Sequence, residues 1–155
     1  MKIEEEIRCQ NKGISKKIGG HQVYFHEGGE GEPLLLIHGS GPGVSAWANW
    51  RPVYPILSKK HRLYAPDLIG FGSSDKPKSI QYGVDVWVEQ MIAFIETKKL
   101  GPLSIVGNSL GGGIALHLAY RRPDLVKKTG VNGKRRHSIS IDGRSGPGLG
   151  IYPEP

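Results

Sequence analysis

The sequence predicts an α/β domain built on a mostly parallel sheet. Three observations predict it. Apolar runs that read as strands alternate with segments of helical period. The run Leu34-Leu35-Leu36-Ile37 is continuously apolar, the mark of a strand buried on both faces. The stretch from Pro102 to Gly113 joins a short apolar strand to a small-residue helix start through a sharp turn. At 155 residues, one domain is expected on a prior of about 100–200 residues per domain.

Taken in order, residues 1–13 have no clear period and read as a partly ordered lead-in. Ile14 to Phe25 reads as a hairpin, turned at Gly19-Gly20, because residues 21–25 begin to alternate polar and apolar. A turn cluster, Gly28 to Pro33, precedes the buried strand. That strand runs into His38-Gly39-Ser40-Gly41-Pro42-Gly43, where the glycines allow close backbone approach to a ligand. A helix is expected over Trp47 to Leu57, a strand over His61 to Ala65, and a loop from Pro66 to Pro77. Val84, Trp87, Val88, Met91, Ile92 and Ile95 follow the i, i+3, i+4, i+7 rule and predict a helix from Val84 to Lys98. Gly101-Pro102 ends it, and the strand before the sharp turn begins.

That turn carries the chemistry. Gly107-x-Ser109-x-Gly111 is a nucleophile-elbow pattern. A serine hydroxyl is a weak nucleophile unless it is held and activated. The elbow holds it in a strained backbone conformation that leaves no room for Cβ atoms two residues to either side. With 12 Ser and 23 Gly in the chain, chance alone would produce the bare pattern about 0.26 times. Its context, a strand before and a helix-like run from Ile114 to Tyr120 after, gives it meaning.

Composition excludes several classes. The chain is 37% apolar, and no run of about 18 apolar residues exists to span a membrane. The start, Met1 to Glu6, is charged and lacks the apolar core of a signal peptide, so a cytoplasmic protein is expected. A single cysteine, Cys9, excludes an internal disulfide. No residues have metal-ligand spacing, and no metal or cofactor is expected. The net charge of +7 raises a nucleic-acid reading, but +4 of it lies in the last 29 residues and the other 126 carry only +3. No nucleic-acid partner is expected.

The segments Leu36 to Trp50, Asp67 to Asp75, and Gly107-Asn108-Ser109-Leu110-Gly111-Gly112 together resemble the α/β-hydrolase superfamily. More narrowly they resemble the meta-cleavage product hydrolases, of the 2-hydroxymuconic semialdehyde hydrolase type. The Ser-Gly-Pro-Gly-x-x-Ala-x-x-Asn-Trp continuation from Ser40, and Asn108 before the serine, carry the narrower likeness. The resemblance implies an α/β-hydrolase fold and hydrolysis of a carbon–carbon bond in a ring-cleavage dienoate during aromatic hydrocarbon catabolism. It implies Ser109 as the catalytic serine, an oxyanion hole from the N–H groups of Ser40 and Leu110, and substrate-lining roles for Gly39, Gly41, Asn49 and Asn108. A small-molecule substrate, no membrane partner, and homo-oligomerisation of a full-length relative are the corresponding partner expectations. A serine esterase or peptidase of the same fold, or a non-catalytic fragment, are the alternatives.

Other residues have plainer readings. His38 is expected to brace its loop and His117 to sit on a helix face. Asp67 and Asp75 are expected to shape and cap turns. Trp47, Trp50 and Trp87 are expected in the core or a pocket wall.

In this fold the order is Ser, then the acid, then His, the last two far downstream. Only 46 residues follow Ser109, and the expectation is a fragment without the triad acid and histidine, truncated after the elbow helix. The chain is read as residues 1–128, the N-terminal part of a hydrolase domain, followed by 129–155, an irregular basic tail. That tail has 6 Gly and 3 Pro in 27 residues. The resemblance implies instead a buried strand directly after Lys128. Read one nucleotide forward, codons allowed from Thr129 can spell Leu-Val-Leu-Met-Gly-Ser-Val-Gly, so a frameshift is the expected origin of the tail.

Overall fold

The computed structural model describes residues 12–132 and 140–142. It contains a mixed seven-stranded sheet in the order β1-β2-β4-β3-β5-β6-β7. The expected hairpin is β1 (Ile14–Ile18) and β2 (His21–Gly28), antiparallel, with Gly19 and Gly20 at positive φ in the turn. The centre is parallel: β3 (Glu32–Ile37) lies between β4 (His61–Pro66) and β5 (Leu103–Asn108), and β6 (Val126–Asn132) lies beside β5. Antiparallel pairs flank it, β2 on β4 and β7 (Ser140–Asp142) on β6.

The strands bury both faces as their apolar runs require. Leu35 and Ile37 enter one cluster, while Leu34 and Leu36 enter the other. On the first face lie α3 (Val84–Lys98) and α4 (Leu110–Arg121), packed through Val88, Met91, Phe94, Ile114 and Leu118. On the second lie α1 (Ala46–Trp50) and α2 (Tyr54–Leu57), packed through Trp50 and Tyr54. The helix expected over Trp47 to Leu57 is thus two short helices. Pro52 has no N–H to continue the ladder of α1, and Pro55 fits the first turn of α2, where an N–H has no acceptor.

A short 3₁₀ turn, Pro123–Leu125, leads from α4 into β6. β6 pairs with β5 from Val126 to Asn132, so the position after Lys128 is strand, with Thr129 buried. Residues 1–11 of the expected lead-in, and residues 133–139 and 143–155 of the tail, lie outside the described residues. Among the described residues, no helix is long and apolar enough to cross a membrane.

This topology positions the site. The loops leaving the C-terminal ends of the parallel strands β3, β4 and β5 all open at one end of the sheet. That end is where α/β sheets place ligands. The loop after β3 starts at His38, the loop after β4 starts at Asp67, and Ser109 follows β5 directly.

Candidate active site

Ser109 has φ 52° and ψ −112°, a left-handed conformation that a residue with a Cβ rarely adopts. Neighbouring backbone makes the strain necessary. A Cβ on Gly107 would collide with the backbone of Gly111, and one on Gly111 would strike the carbonyl oxygens of Ile37 and His38. A Cβ on Gly112 would overlap the Val131 side chain. The two glycines of the motif are therefore required sterically, as the sequence implied. The Ser109 N–H donates to the Asn132 carbonyl at 2.6 Å, which ties the elbow to the end of β6. The residue itself is exposed.

Leu110 is the first residue of α4. The first N–H groups of a helix have no intrahelical acceptor, and the aligned peptide dipoles favour negative charge there. The Leu110 N–H is therefore a ready anion donor beside Ser109.

The second arm is the loop after β3. His38 is fully buried beneath it. The Leu68 N–H donates to His38 Nε2 at 2.9 Å. Nε2 must therefore accept, and Nδ1 carries the proton, donating to the Gly39 carbonyl at 2.6 Å. Burial pulls the His38 pKa below its ordinary value, while the Gly39 carbonyl and the Asp67 carboxylate pull the other way. The ring is a neutral brace, in the role the sequence assigned it.

Gly39 is the one loop glycine that makes a close approach. A Cβ there would sit 3.2 Å from the Asn108 carbonyl and 3.5 Å from Ser109 Cβ. Around Gly41 and Gly43 the space is open: nothing lies within 4 Å of a Cβ on either, and glycine is favoured by their φ of 144° and 69°. Asn49 and Asn108 are brought together. Asn108 Nδ2 donates to Asn49 Oδ1 at 2.8 Å, and the Gly39 N–H donates to the same oxygen at 3.1 Å. Spacing in the sequence gave no signal for this pair, which are 59 residues apart.

The loop after β4 locks the arrangement. Asp67 Oδ1 accepts from the Ala46 N–H at 2.7 Å, and Oδ2 accepts from the Ser73 N–H at 2.8 Å. Asp75 Oδ2 accepts from the Gln22 N–H at 2.7 Å. Both acids do turn and cap work, as expected. Gln90, which the sequence did not single out, joins this loop to α3: its side chain accepts from the Ile69 N–H and donates to the Asp67 carbonyl. A cleft of about 380 Å³ opens between the two loops, lined by Gly41, Gly43, Val44, Phe71 and Lys76 among others.

The described histidines lie away from Ser109 or are already engaged. His61 begins β4, at the opposite end of the sheet. His21 begins β2, beyond β3 and β4 from the elbow strand. His26 is buried between the Tyr24 and Trp47 rings. His117 is exposed two turns along α4. Trp50 is core, Trp47 packs on Tyr54, and Trp87 donates to the Ile69 carbonyl and packs at a tilt against Phe71. Among the described residues, no three His, Cys, Asp or Glu side chains gather as a metal site.

Residues 32–129 match the family model described as alpha/beta hydrolase fold. The chain is 47% identical over 122 residues to the 2-hydroxymuconate semialdehyde hydrolase of Pseudomonas sp. strain CF600, across 79% of this chain and 43% of that protein. It is 46% identical over 110 residues to a 2-hydroxy-6-oxo-2,4-heptadienoate hydrolase of Pseudomonas putida, across 71% of this chain and 40% of that one. Among solved structures, a variant of the meta-cleavage product hydrolase CumD from Pseudomonas fluorescens IP01, complexed with acetates, superposes with a TM-score of 0.74 at 44% identity, across 76% of this chain and 43% of that one. The chain thus spans less than half the length of these relatives.

Proposed function

Because this chain belongs to the alpha/beta hydrolase fold family, we propose that it carries the nucleophile and oxyanion-binding part of a serine-dependent hydrolase. Its substrates are ring-cleavage dienoates of the 2-hydroxymuconic semialdehyde type, and its reaction is carbon–carbon bond hydrolysis in aromatic compound degradation. The observation that carries the reading is the exposed, strained Ser109 at the start of α4, in van der Waals reach of the Gly39 loop. The relatives' names supply the substrate class.

Mechanistically, the substrate carbonyl sits against Ser109 Oγ, with its oxygen toward the N–H groups of Ser40 and Leu110. Negative charge that develops on that oxygen is then met by donors already in place. Each such donor contributes about 2.7–4 kcal/mol of barrier lowering in enzymes of known mechanism. Water adds across the broken bond: its hydroxyl goes to the carbonyl carbon, giving a carboxylic acid, and its proton goes to the departing dienol carbon. Gly39, Gly41, Asn49 and Asn108 line the approach. Among the described residues the histidines are engaged or remote from Ser109, so the triad's histidine is placed outside them. The substrate is a small molecule, and the protein is cytoplasmic.

The test is turnover of 2-hydroxymuconic semialdehyde by the 155-residue chain. Slow hydrolysis that falls further in Ser109→Ala is expected: an oxyanion hole retains part of the catalysis when triad members are missing, and the serine adds nucleophilic attack to it. A rate near that of full-length relatives would overturn the placement of acid and base elsewhere. A faster rate on p-nitrophenyl esters than on the dienoate would move the assignment to an esterase.

A further inference from the structure

We infer that Asn49 is a positioning residue that couples the two arms of the oxyanion hole, an inference that rests on the proposed roles of Ser109, Ser40 and Leu110. Its Oδ1 accepts two hydrogen bonds that come from opposite sides of the site. One is from the Gly39 N–H, in the loop after β3; the other is from Asn108 Nδ2, on the residue before the nucleophile. A single oxygen atom therefore ties the loop to the elbow, beyond the last β3–β5 pair at Ile37 and Gly107.

The oxygen is itself held still. Asn49 lies on α1, whose start is anchored twice: Ser45 Oγ accepts from the Ala48 N–H at 3.1 Å, and Asp67 accepts from the Ala46 N–H. Trp50, the next residue, is buried in the core under the sheet. The side chain therefore projects from a body with little freedom to move.

Both polar groups of Gly39 are consumed in this way. Its N–H goes to Asn49, and its carbonyl accepts from His38. The Gly39–Ser40 peptide is trans, so the Ser40 N–H points opposite to the Gly39 carbonyl in one plane. With His38 on the carbonyl and Asn49 on the preceding N–H, the Ser40 N–H has one direction available. Asn108 carries the same restraint to the residue from which Ser109 and the Leu110 N–H follow. Asn49 thus acts through the N–H donors, in a manner distinct from lining the substrate.

The experiment is amide hydrogen exchange by NMR on the 155-residue chain, paired with fluorophosphonate labelling of Ser109. Asn49→Ala is expected to raise the exchange rate of the Gly39 N–H about tenfold, with β3 and α3 amides unchanged. Asn108→Ala, which removes a half-exposed side chain and leaves Asn49 in place, is expected to raise it about threefold by loosening the clamp. Asn49→Asp keeps an accepting oxygen and should hold Gly39 exchange within twofold of the parent. For labelling, Asn49→Ala should lower the maximal rate constant about tenfold while the half-saturating probe concentration stays within twofold. An unchanged Gly39 exchange rate in either alanine variant overturns the inference, whatever happens at Ser109. A parent chain that exchanges as expected but is not labelled at Ser109 leaves the clamp standing and counts against the nucleophile assignment instead. Should Asn49→Ala fail to fold, Asn108→Ala and Asn49→Asp decide the matter on the same exchange readout.

Discussion

The His38 imidazole donates from Nδ1 to the Gly39 carbonyl at 2.6 Å, and through that bond a buried ring sets the direction of the Ser40 N–H. Its other nitrogen is committed to the Leu68 N–H, so only one neutral tautomer satisfies both contacts. The brace therefore depends on the charge state of the ring.

Acid should weaken the fold through His38. Its folded pKa lies below the ordinary value because burial disfavours the imidazolium. In the unfolded chain it takes up a proton near pH 6.5. Its contribution is complete above that pH, and it is lost as pH falls from there through the lowered folded value. Urea unfolding from pH 8 to pH 5 should show falling stability below about pH 6.5. In His38→Gln that part of the slope should be missing, with a loss of about 2 kcal/mol at pH 8 from the disrupted buried bonds. An identical slope in the variant would contradict the assignment.

Two glycines four residues or fewer from Ser109 should respond oppositely to alanine. Gly111→Ala drives a methyl into the carbonyl oxygens of Ile37 and His38, which are backbone and cannot move aside. A loss of about 3 kcal/mol or more is expected in thermal or urea unfolding. At Gly113, inside α4, nothing lies within 4 Å of the added methyl. Gly113→Ala should stabilise by about 0.5–1 kcal/mol through helix propensity. Equal effects at the two sites would rule out the steric account of the elbow.

Thr129 is buried in β6, and its hydroxyl has no hydrogen-bond partner among the described residues. Thr129→Val keeps the shape and removes the unpaired group, so a gain of about 1 kcal/mol is expected in urea unfolding. Codons allowed here can spell Leu in a frame shifted by one nucleotide, and we propose on that ground that the residues from 129 onward derive from a frameshift. Coding DNA whose shifted frame carries an early stop, or no apolar strand, would end that proposal.

Much of the fold was legible because its determinants are local. The Gly19-Gly20 hairpin, the apolar run of β3 and the period of α3 each lie within a single short window. So does the elbow, since the steric demand at Gly107 and Gly111 is written into the motif. The broken helix at Pro52 and Pro55 was missed because its apolar spacing hid the two prolines' backbone effect. The strand through Thr129 to Asn132 is polar and glycine-bearing, and only pairing with β5 makes it a strand. Within the site, Ser109 could be read directly. The Asn49–Asn108 bond, the Leu68–His38 bond and the Gln90 bridge join residues 21 to 59 positions apart, and no periodicity encodes them.

The central claim is that the elbow and its N–H donors make Ser109 chemically distinct from the other serines. The direct measurement is fluorophosphonate labelling of the 155-residue chain, with the adduct located by peptide mass spectrometry. The account predicts slow labelling with Ser109 modified at least about tenfold faster than any other serine, as preorganised oxyanion donors require, and no comparable adduct in Ser109→Ala. Labelling spread evenly over the serines, or unchanged in Ser109→Ala, would contradict it.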